Sequence, residues 1–239
     1  MFNEKHLLND SLSTSNHGTL YLVSTPIGNM EDITLRAIRI LKEVNLIAAE
    51  DTRHTCKLLS HFGIKNRMES YYDYNKEKKT PFLIKQLLQG KNIALVTDAG
   101  TPGISDPAYN LVVQAIEQHI PTVTIPGPTA AVVALVTSGL PTDRFVFEGF
   151  LPVKKGRKPR LNQLSEETRT MVFYESPYRL IRTLSDLRTV LGEREAAVCR
   201  ELTKKFEETV RGTITEVIDI MSMKRVRGEI VIVVKGKKH

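Results

Sequence analysis

Short apolar runs alternating with helical patterns constrain this 239-residue chain more than any other feature. Runs of strand length occupy residues 19–24, 45–50, 92–97, 122–126, 145–150, 170–175, 196–201 and 230–234. Helical patterns lie between many of them. One is Ile33, Ala37, Ile38, Leu41 and Val44, spaced for a single face of a helix. Such alternation predicts α/β layers around a largely parallel sheet. No repeat at solenoid spacing is present. Pro126-Gly127-Pro128 breaks the pattern by turn chemistry, Thr129 is placed to cap the small-residue helix at 130–135, and Gly139-Leu140-Pro141 ends it. The chain is therefore expected to divide into a loose N-terminal tail (1–17), an N-terminal α/β domain (18–126) and a C-terminal α/β domain (127–239), with a cleft between the two domains.

Composition narrows the class. No apolar run approaches the roughly 20 residues of a membrane span, and the polar N-terminus lacks the apolar core of a signal peptide, so a cytoplasmic protein is expected. Cys56 and Cys199 have no neighbouring cysteine, which leaves no zinc pattern and no disulfide framework, and no metal is expected. The net charge of +7, from 34 basic and 27 acidic residues, permits a nucleic-acid partner without requiring one. Its distribution is more telling. Lys154-Lys155-Gly156-Arg157-Lys158-Pro159-Arg160 places five positive charges in seven residues, and its Gly and Pro predict a mobile loop. Such a run either clamps phosphates, through Lys154, Lys155, Arg157, Lys158 and Arg160, or solubilises the surface. Tyr71, Tyr72 and Tyr74, followed by Lys76, Lys78 and Lys79, fit either stacking on unpaired bases or a packing patch.

Ligands of open α/β sheets bind beyond the carboxyl ends of strands. Four loops qualify: residues 25–29, 51–54, 98–106 and 126–129. The third, in VTDAGTPGISDPAYN, holds two Gly, two Pro and two Asp but no Lys or Arg. It lacks the Walker lysine, and the first strand is followed by Thr-Pro-Ile-Gly-Asn rather than G-x-G-x-x-G, which argues against nucleoside triphosphates and NAD. The loop suits a ligand with hydroxyls, amines or positive charge. Asp98 or Asp106 is placed to accept from a ribose or an amino group, while the plainer role of Asp106 or Ser105 is to cap the helix opening at Pro107. Glu50, Asp51, Arg53 and His54 are the densest ionisable cluster. Glu50, Asp51 and His54 are candidate acids, bases or orienting groups, and Arg53 a candidate phosphate holder.

Nine stretches, in order over residues 18–236, are similar to the tetrapyrrole methylase superfamily. They are residues 20–29, with Thr25-Pro26-Ile27-Gly28-Asn29; residues 48–55, with Glu50-Asp51-Thr52-Arg53-His54; Asp98-Ala99-Gly100-Thr101-Pro102; Ser105-Asp106-Pro107; Pro126-Gly127-Pro128; Gly139-Leu140-Pro141; Glu148-Gly149-Phe150-Leu151-Pro152; Phe173-Tyr174-Glu175-Ser176; and Arg200-Glu201-Leu202-Thr203-Lys204. Within the superfamily the pattern resembles the members that methylate a cytidine ribose 2′-oxygen in small-subunit ribosomal RNA.

The resemblance implies two α/β domains, a homodimer, and S-adenosylmethionine (AdoMet) in the cleft. By the same resemblance the AdoMet-contacting positions are Pro26, Asp98, Gly100, Ile104, Ser105, Asp106, Thr129, Ala130, Tyr174, Glu175, Glu201 and Leu202. AdoMet carries a sulfonium, an ammonium and ribose hydroxyls but no phosphate, which suits a loop without lysine. The implied substrate is 16S ribosomal RNA in the small subunit, with Glu50, Asp51 or His54 as general base and Arg53 on a phosphate. Some longer members carry a further small domain, expected to be absent here, so that grip on RNA falls to the tail, the basic loop and the dimer surface. A corrin-precursor methyltransferase and a non-catalytic RNA-binding assembly factor are the competing readings.

Overall fold

The computed structural model describes residues 16–237; most of the expected N-terminal tail, residues 1–15, lies outside them. The chain forms two compact units. One comprises the described residues through Val23, Leu35–Asp98 and Asp106–Ile125. The other comprises Ser24–Thr34, Ala99–Ser105 and the chain from Pro126 onward.

The first unit is built on β1 (Leu20–Val23), β2 (Leu46–Ala49), β3 (Met68–Ser70), β4 (Ile93–Val96) and β5 (Thr122–Ile125), in the order β3-β2-β4-β1-β5. Every pair is parallel. All residues of β2 and β4 are buried, as continuous apolar strands of a parallel sheet covered on both faces must be. Its helices are α1 (Leu35–Glu43), α2 (Thr52–His61), α3 (Lys76–Leu88) and α4 (Ala108–Glu117). Leu83, Ile84 and Leu87 of α3 and Leu111 and Ala115 of α4 join strand residues Leu22, Leu46, Ile93 and Leu95 in one core.

The second unit carries α5 (Ala130–Ser138), β6 (Phe145–Phe150), α6 (Arg157–Gln163), β7 (Thr170–Glu175), α7 (Leu180–Leu191), β8 (Glu195–Arg200), β9 (Glu208–Thr213), α8 (Ile214–Ser222) and β10 (Ile230–Val234). Its sheet runs β6-β7-β10-β8-β9. Only β6 and β7 are parallel; β10 pairs antiparallel with both β7 and β8, and β8 antiparallel with β9. The largely parallel expectation therefore holds for the first sheet and is corrected for the second. Side chains alternate between faces. Met171, Phe173, Ile230, Ile232 and Val234 pack with Leu180, Leu184 and Leu187 of α7 and Val217 of α8. Val172, Val231 and Val233 pack with Ala131, Ala134 and Leu135 of α5. The register of β6 on β7 slips by one residue: Phe147 faces Val172 but Gly149 faces Phe173, so Glu148 is bulged out.

Two strands, β3 and β9, fall outside the apolar runs read from the sequence. Neither residue run is apolar: β3 is Met-Glu-Ser, and β9 buries only Val210. Both are edge strands, where one neighbour suffices.

Phe173 is fully buried at the centre of the α7 face. Phe173→Ala is expected to lower unfolding free energy by about 3–5 kcal/mol, read by urea denaturation. A loss below about 1 kcal/mol would show that this face is loosely packed.

Candidate functional site

In the first unit, neighbouring parallel strands β2 and β4 end in acidic residues that bind each other's backbone. The Asp98 N–H donates to Glu50 Oε2 at 3.2 Å, and the Asp51 N–H donates to Asp98 Oδ1 at 3.1 Å. Partial burial pushes the Glu50 carboxyl above the usual carboxylate range; the Asp98 N–H opposes this, and the charges of Asp98, Asp106 and Asp73 add to it. Asp51 is held differently. Its Oδ1 accepts from the Arg53 backbone N–H at 2.8 Å and so caps α2, while the Arg53 guanidinium donates to Oδ1 at 3.2 Å and to Oδ2 at 2.9 Å. The bonds from Arg53 lower Asp51 to about 2. Arg53 and His54 are exposed on the first turn of α2. Asp106 Oδ1 accepts from the Ala108 N–H at 2.8 Å, the capping role its position before Pro107 suggests. The tyrosine stretch is split: Tyr71 is core, its hydroxyl 3.1 Å from that of Thr80, whereas Tyr72 and Tyr74 are exposed.

In the second unit, residues 24–29, 99–105 and 126–129 are stitched together. Thr25 and Gly100 exchange backbone hydrogen bonds of 2.9 and 3.1 Å, and the Ser24 and Thr101 hydroxyls meet at 2.9 Å. A Cβ on Gly127 would lie 2.8 Å from that of Ser24, so only glycine fits this approach. Gly100 and Gly103 have φ of +81° and +96°, and Ser105, a non-glycine, has +66°. Pro26 is buried, while Ile104 and Ser105 are exposed and Thr129 and Ala130 are half-buried. The Tyr174 hydroxyl is hydrogen-bonded to the Ala131 backbone and the Thr129 side chain; burial nonetheless raises it.

Tyr174 and Glu175, adjacent in sequence, point to opposite faces of the sheet. Tyr174 follows Val172 onto the α5 side. The Glu175 carboxylate follows Phe173 onto the α7 side, where it is buried and fully engaged. It accepts from Ser176 N–H (2.7 Å) and Thr183 Oγ1 (2.6 Å), and pairs with Arg179 (3.2 Å). Glu201 is committed in a similar way, accepting from Lys204 Nζ and from the Glu229 N–H, each at 3.0 Å. Leu202 is buried in the α5-side core. The side chains of Glu175 and Glu201 are thus held by hydrogen bonds and ion pairs, and that of Leu202 by packing.

The basic run also needs correcting. It is no mobile loop throughout, because α6 begins at Arg157. Arg157 is 6% exposed; it donates to Asp186 Oδ2 (2.8 Å), Thr183 Oγ1 (2.8 Å) and the Pro152 carbonyl (3.2 Å). It is a structural arginine and is unavailable to phosphate. Arg160 is exposed but forked onto Glu148 at 2.7 and 2.8 Å. Lys154, Lys155 and Lys158 are exposed and, among the described residues, have no carboxylate partner.

The family model for tetrapyrrole (corrin/porphyrin) methylases matches residues 19–218. The chain belongs to the tetrapyrrole methylase family. It is 53% identical over 220 residues to ribosomal RNA small subunit methyltransferase I of Halalkalibacterium halodurans, covering 92% of this chain and 76% of that one. The protein of the same name in Thermotoga maritima is 45% identical over 221 residues, covering 92% of this chain and 100% of that one. Among solved structures, uroporphyrin-III C-methyltransferase from Thermus thermophilus complexed with S-adenosylhomocysteine superposes with a TM-score of 0.64 at 21% identity, over 91% of this chain and 97% of that one. Diphthine synthase superposes with a TM-score of 0.73 at 12% identity, over 93% and 92%. At these identities the structural likeness shows the tetrapyrrole methylase fold.

In this tetrapyrrole methylase, sequence reasoning missed Thr183 and Asp186 as partners of Arg157. A signal existed: Arg179, Thr183 and Asp186 recur at i, i+4 and i+7, a polar stripe on the otherwise apolar face of α7. Arg157→Ala is expected to cost about 3 kcal/mol of stability by stranding the groups it serves. Lys154→Ala should stay within about 0.5 kcal/mol. Equal denaturation midpoints for the two variants would remove Arg157 from its structural role.

Proposed function

We propose that this chain is an AdoMet-dependent methyltransferase acting on the 2′-oxygen of a cytidine ribose in 16S ribosomal RNA. The observation that carries the reading is identity of about one half, over 92% of the chain, to proteins named ribosomal RNA small subunit methyltransferase I. The donor chemistry fits AdoMet. Carboxylates dominate the ends of β2 and β4, Arg53 is turned onto Asp51, and the 98–106 loop offers backbone at positive φ without a lysine. Asp98, Gly100, Ile104, Ser105 and Asp106 would hold AdoMet, with Pro26, Thr129, Ala130, Tyr174 and the backbone at Glu175, Glu201 and Leu202 supporting its contacts. AdoMet supplies a methyl group on a sulfonium.

The protein's part is to orient the ribose hydroxyl in line with that methyl group and to accept its proton. Glu50 is the better base. Its carboxyl is raised by burial, whereas Asp51 is committed to Arg53 and lowered to about 2. Arg53, exposed at the start of α2, would meet an RNA phosphate, and His54 flanks the same turn. The homodimer is part of the reading, supported by the family resemblance. So is a cytoplasmic setting, supported by the ribosomal substrate; no helix among the described residues is long and apolar enough to cross a membrane.

Stripped small subunits incubated with methyl-labelled AdoMet should acquire label on one cytidine 2′-oxygen, mapped by nuclease digestion and mass spectrometry. AdoMet binding without label on RNA would redirect the search to small-molecule acceptors.

Glu50→Gln should lower kcat about 100-fold or more with AdoMet affinity preserved. A base works ionised, so the wild-type rate should fall as pH drops through the Glu50 pKa, at an inflection above the usual carboxylate range. That inflection should vanish in Glu50→Gln. An unchanged pH profile in the variant would pass the role to another group.

A further inference from the structure

Two large aromatic side chains stand exposed at one end of the second sheet without a structural reason to do so. Phe150 ends β6 with 56% of its surface exposed, and Tyr178 follows β7 with 91% exposed. β6 and β7 are parallel neighbours, with Phe150 paired to Tyr174. The next residues are tied directly, since Arg179 donates to the Leu151 carbonyl at 2.6 Å. Phe150 therefore ends β6, and Tyr178 stands three residues beyond the end of the neighbouring strand β7. Phe150 is also backed: its ring lies 5.6 Å from that of Tyr174, which in turn meets Phe147 edge-on at 4.9 Å. The bulge at Glu148 is what lets Phe147 and Phe150, three residues apart, reach the same tyrosine.

The chain leaving Phe150 is held from below. Buried Arg157 takes the Pro152 carbonyl and Arg179 takes the Leu151 carbonyl; both guanidinium groups connect to Glu175, one through Thr183 and one directly. Beyond this brace come Lys154, Lys155 and Lys158, exposed and without carboxylate partners among the described residues. Exposed aromatic faces beside unneutralised lysines are how proteins grip single-stranded nucleic acid, because only a base freed from its duplex can offer its face to a ring.

We propose that Phe150 and Tyr178 form a stacking platform for an unpaired base of the RNA substrate, with Lys154, Lys155 and Lys158 on the flanking phosphates. The inference rests on the RNA reading above and deepens it: the substrate is presented here as a single strand. A second copy of the chain is the alternative occupant. A two-fold contact at this patch would set the lysines of one copy against those of the other, an arrangement that like charges oppose.

The test uses the full chain with a single-stranded RNA oligonucleotide and a hairpin of matched length, by fluorescence anisotropy. Phe150→Ala and Tyr178→Ala should each weaken the single strand about 10-fold and leave the hairpin unchanged, and Tyr178→Ala should leave AdoMet affinity unchanged; Phe150→Trp should restore binding. Replacing Lys154, Lys155 and Lys158 together by Ala should weaken both RNAs and reduce the salt slope on the single strand by about 2. Alanine variants that bind the single strand like wild type, or that lose both RNAs equally, would overturn stacking. So would a Phe150→Ala protein that sediments as a smaller species with RNA binding intact, which would mark a self-association surface. Methyl transfer to small subunits, measured in parallel, separates the two ideas. If transfer persists while the alanine variants bind normally, stacking alone fails. If wild type transfers no methyl while Phe150→Ala still loses the single strand, the methyltransferase reading fails and the platform stands.

Discussion

A carboxylate inside an apolar layer governs the second unit. Because β7 is covered on both faces, Glu175 has no side of the sheet that opens to water, and its parity sends it among the leucines of α7. A charge so placed is tolerated only when its lone pairs are filled. Thr183, Arg179 and the Ser176 N–H fill them, and Arg157 completes the chain through Thr183. Each arginine drawn inward has N–H groups left over, and these take the carbonyls of Leu151 and Pro152. The path of the loop after β6 is thus tied to one buried acid on the neighbouring strand.

The first unit solves a different electrostatic problem. Parallel strands end together, so acidic residues that follow β2 and β4 are brought side by side, where like charges raise each other's proton affinity. Glu50 and Asp98 are held there by accepting backbone N–H groups from each other's strand end. Asp51 escapes the conflict by capping α2 and pairing with Arg53. Three carboxylates within a short span acquire separate characters: one reluctant to ionise, one cap, one bridge between strands.

The layering of strands and helices was legible because apolar runs and helical stripes are local. The mixed order of the second sheet was not, since β10 enters between β7 and β8 from the far end of the chain. Strands such as Met68–Ser70 pass unnoticed when a single neighbour holds them at an edge. At the site, cap chemistry was readable for Asp106, whose carboxylate stands two residues before the N–H it accepts. The fate of the arginines was not. Arg157 sits among lysines in sequence and against Thr183 and Asp186 of α7 in space, and only the faces of α6 and α7 decide between them. For Tyr174 and Glu175 the alternation was visible, but its meaning depended on both faces being covered.

The bulge at Glu148 amounts to a counting error kept on purpose in an otherwise regular ladder. One surplus residue frees Glu148 to seize Arg160 and turns the strand by one step, so that an aromatic ring arrives where the pleat would have sent it through to the other side. Chain length at this point thus acts as a rotary setting. A homologue shorter by a single residue could keep every charged group of the region and still show a wholly different face to its surroundings.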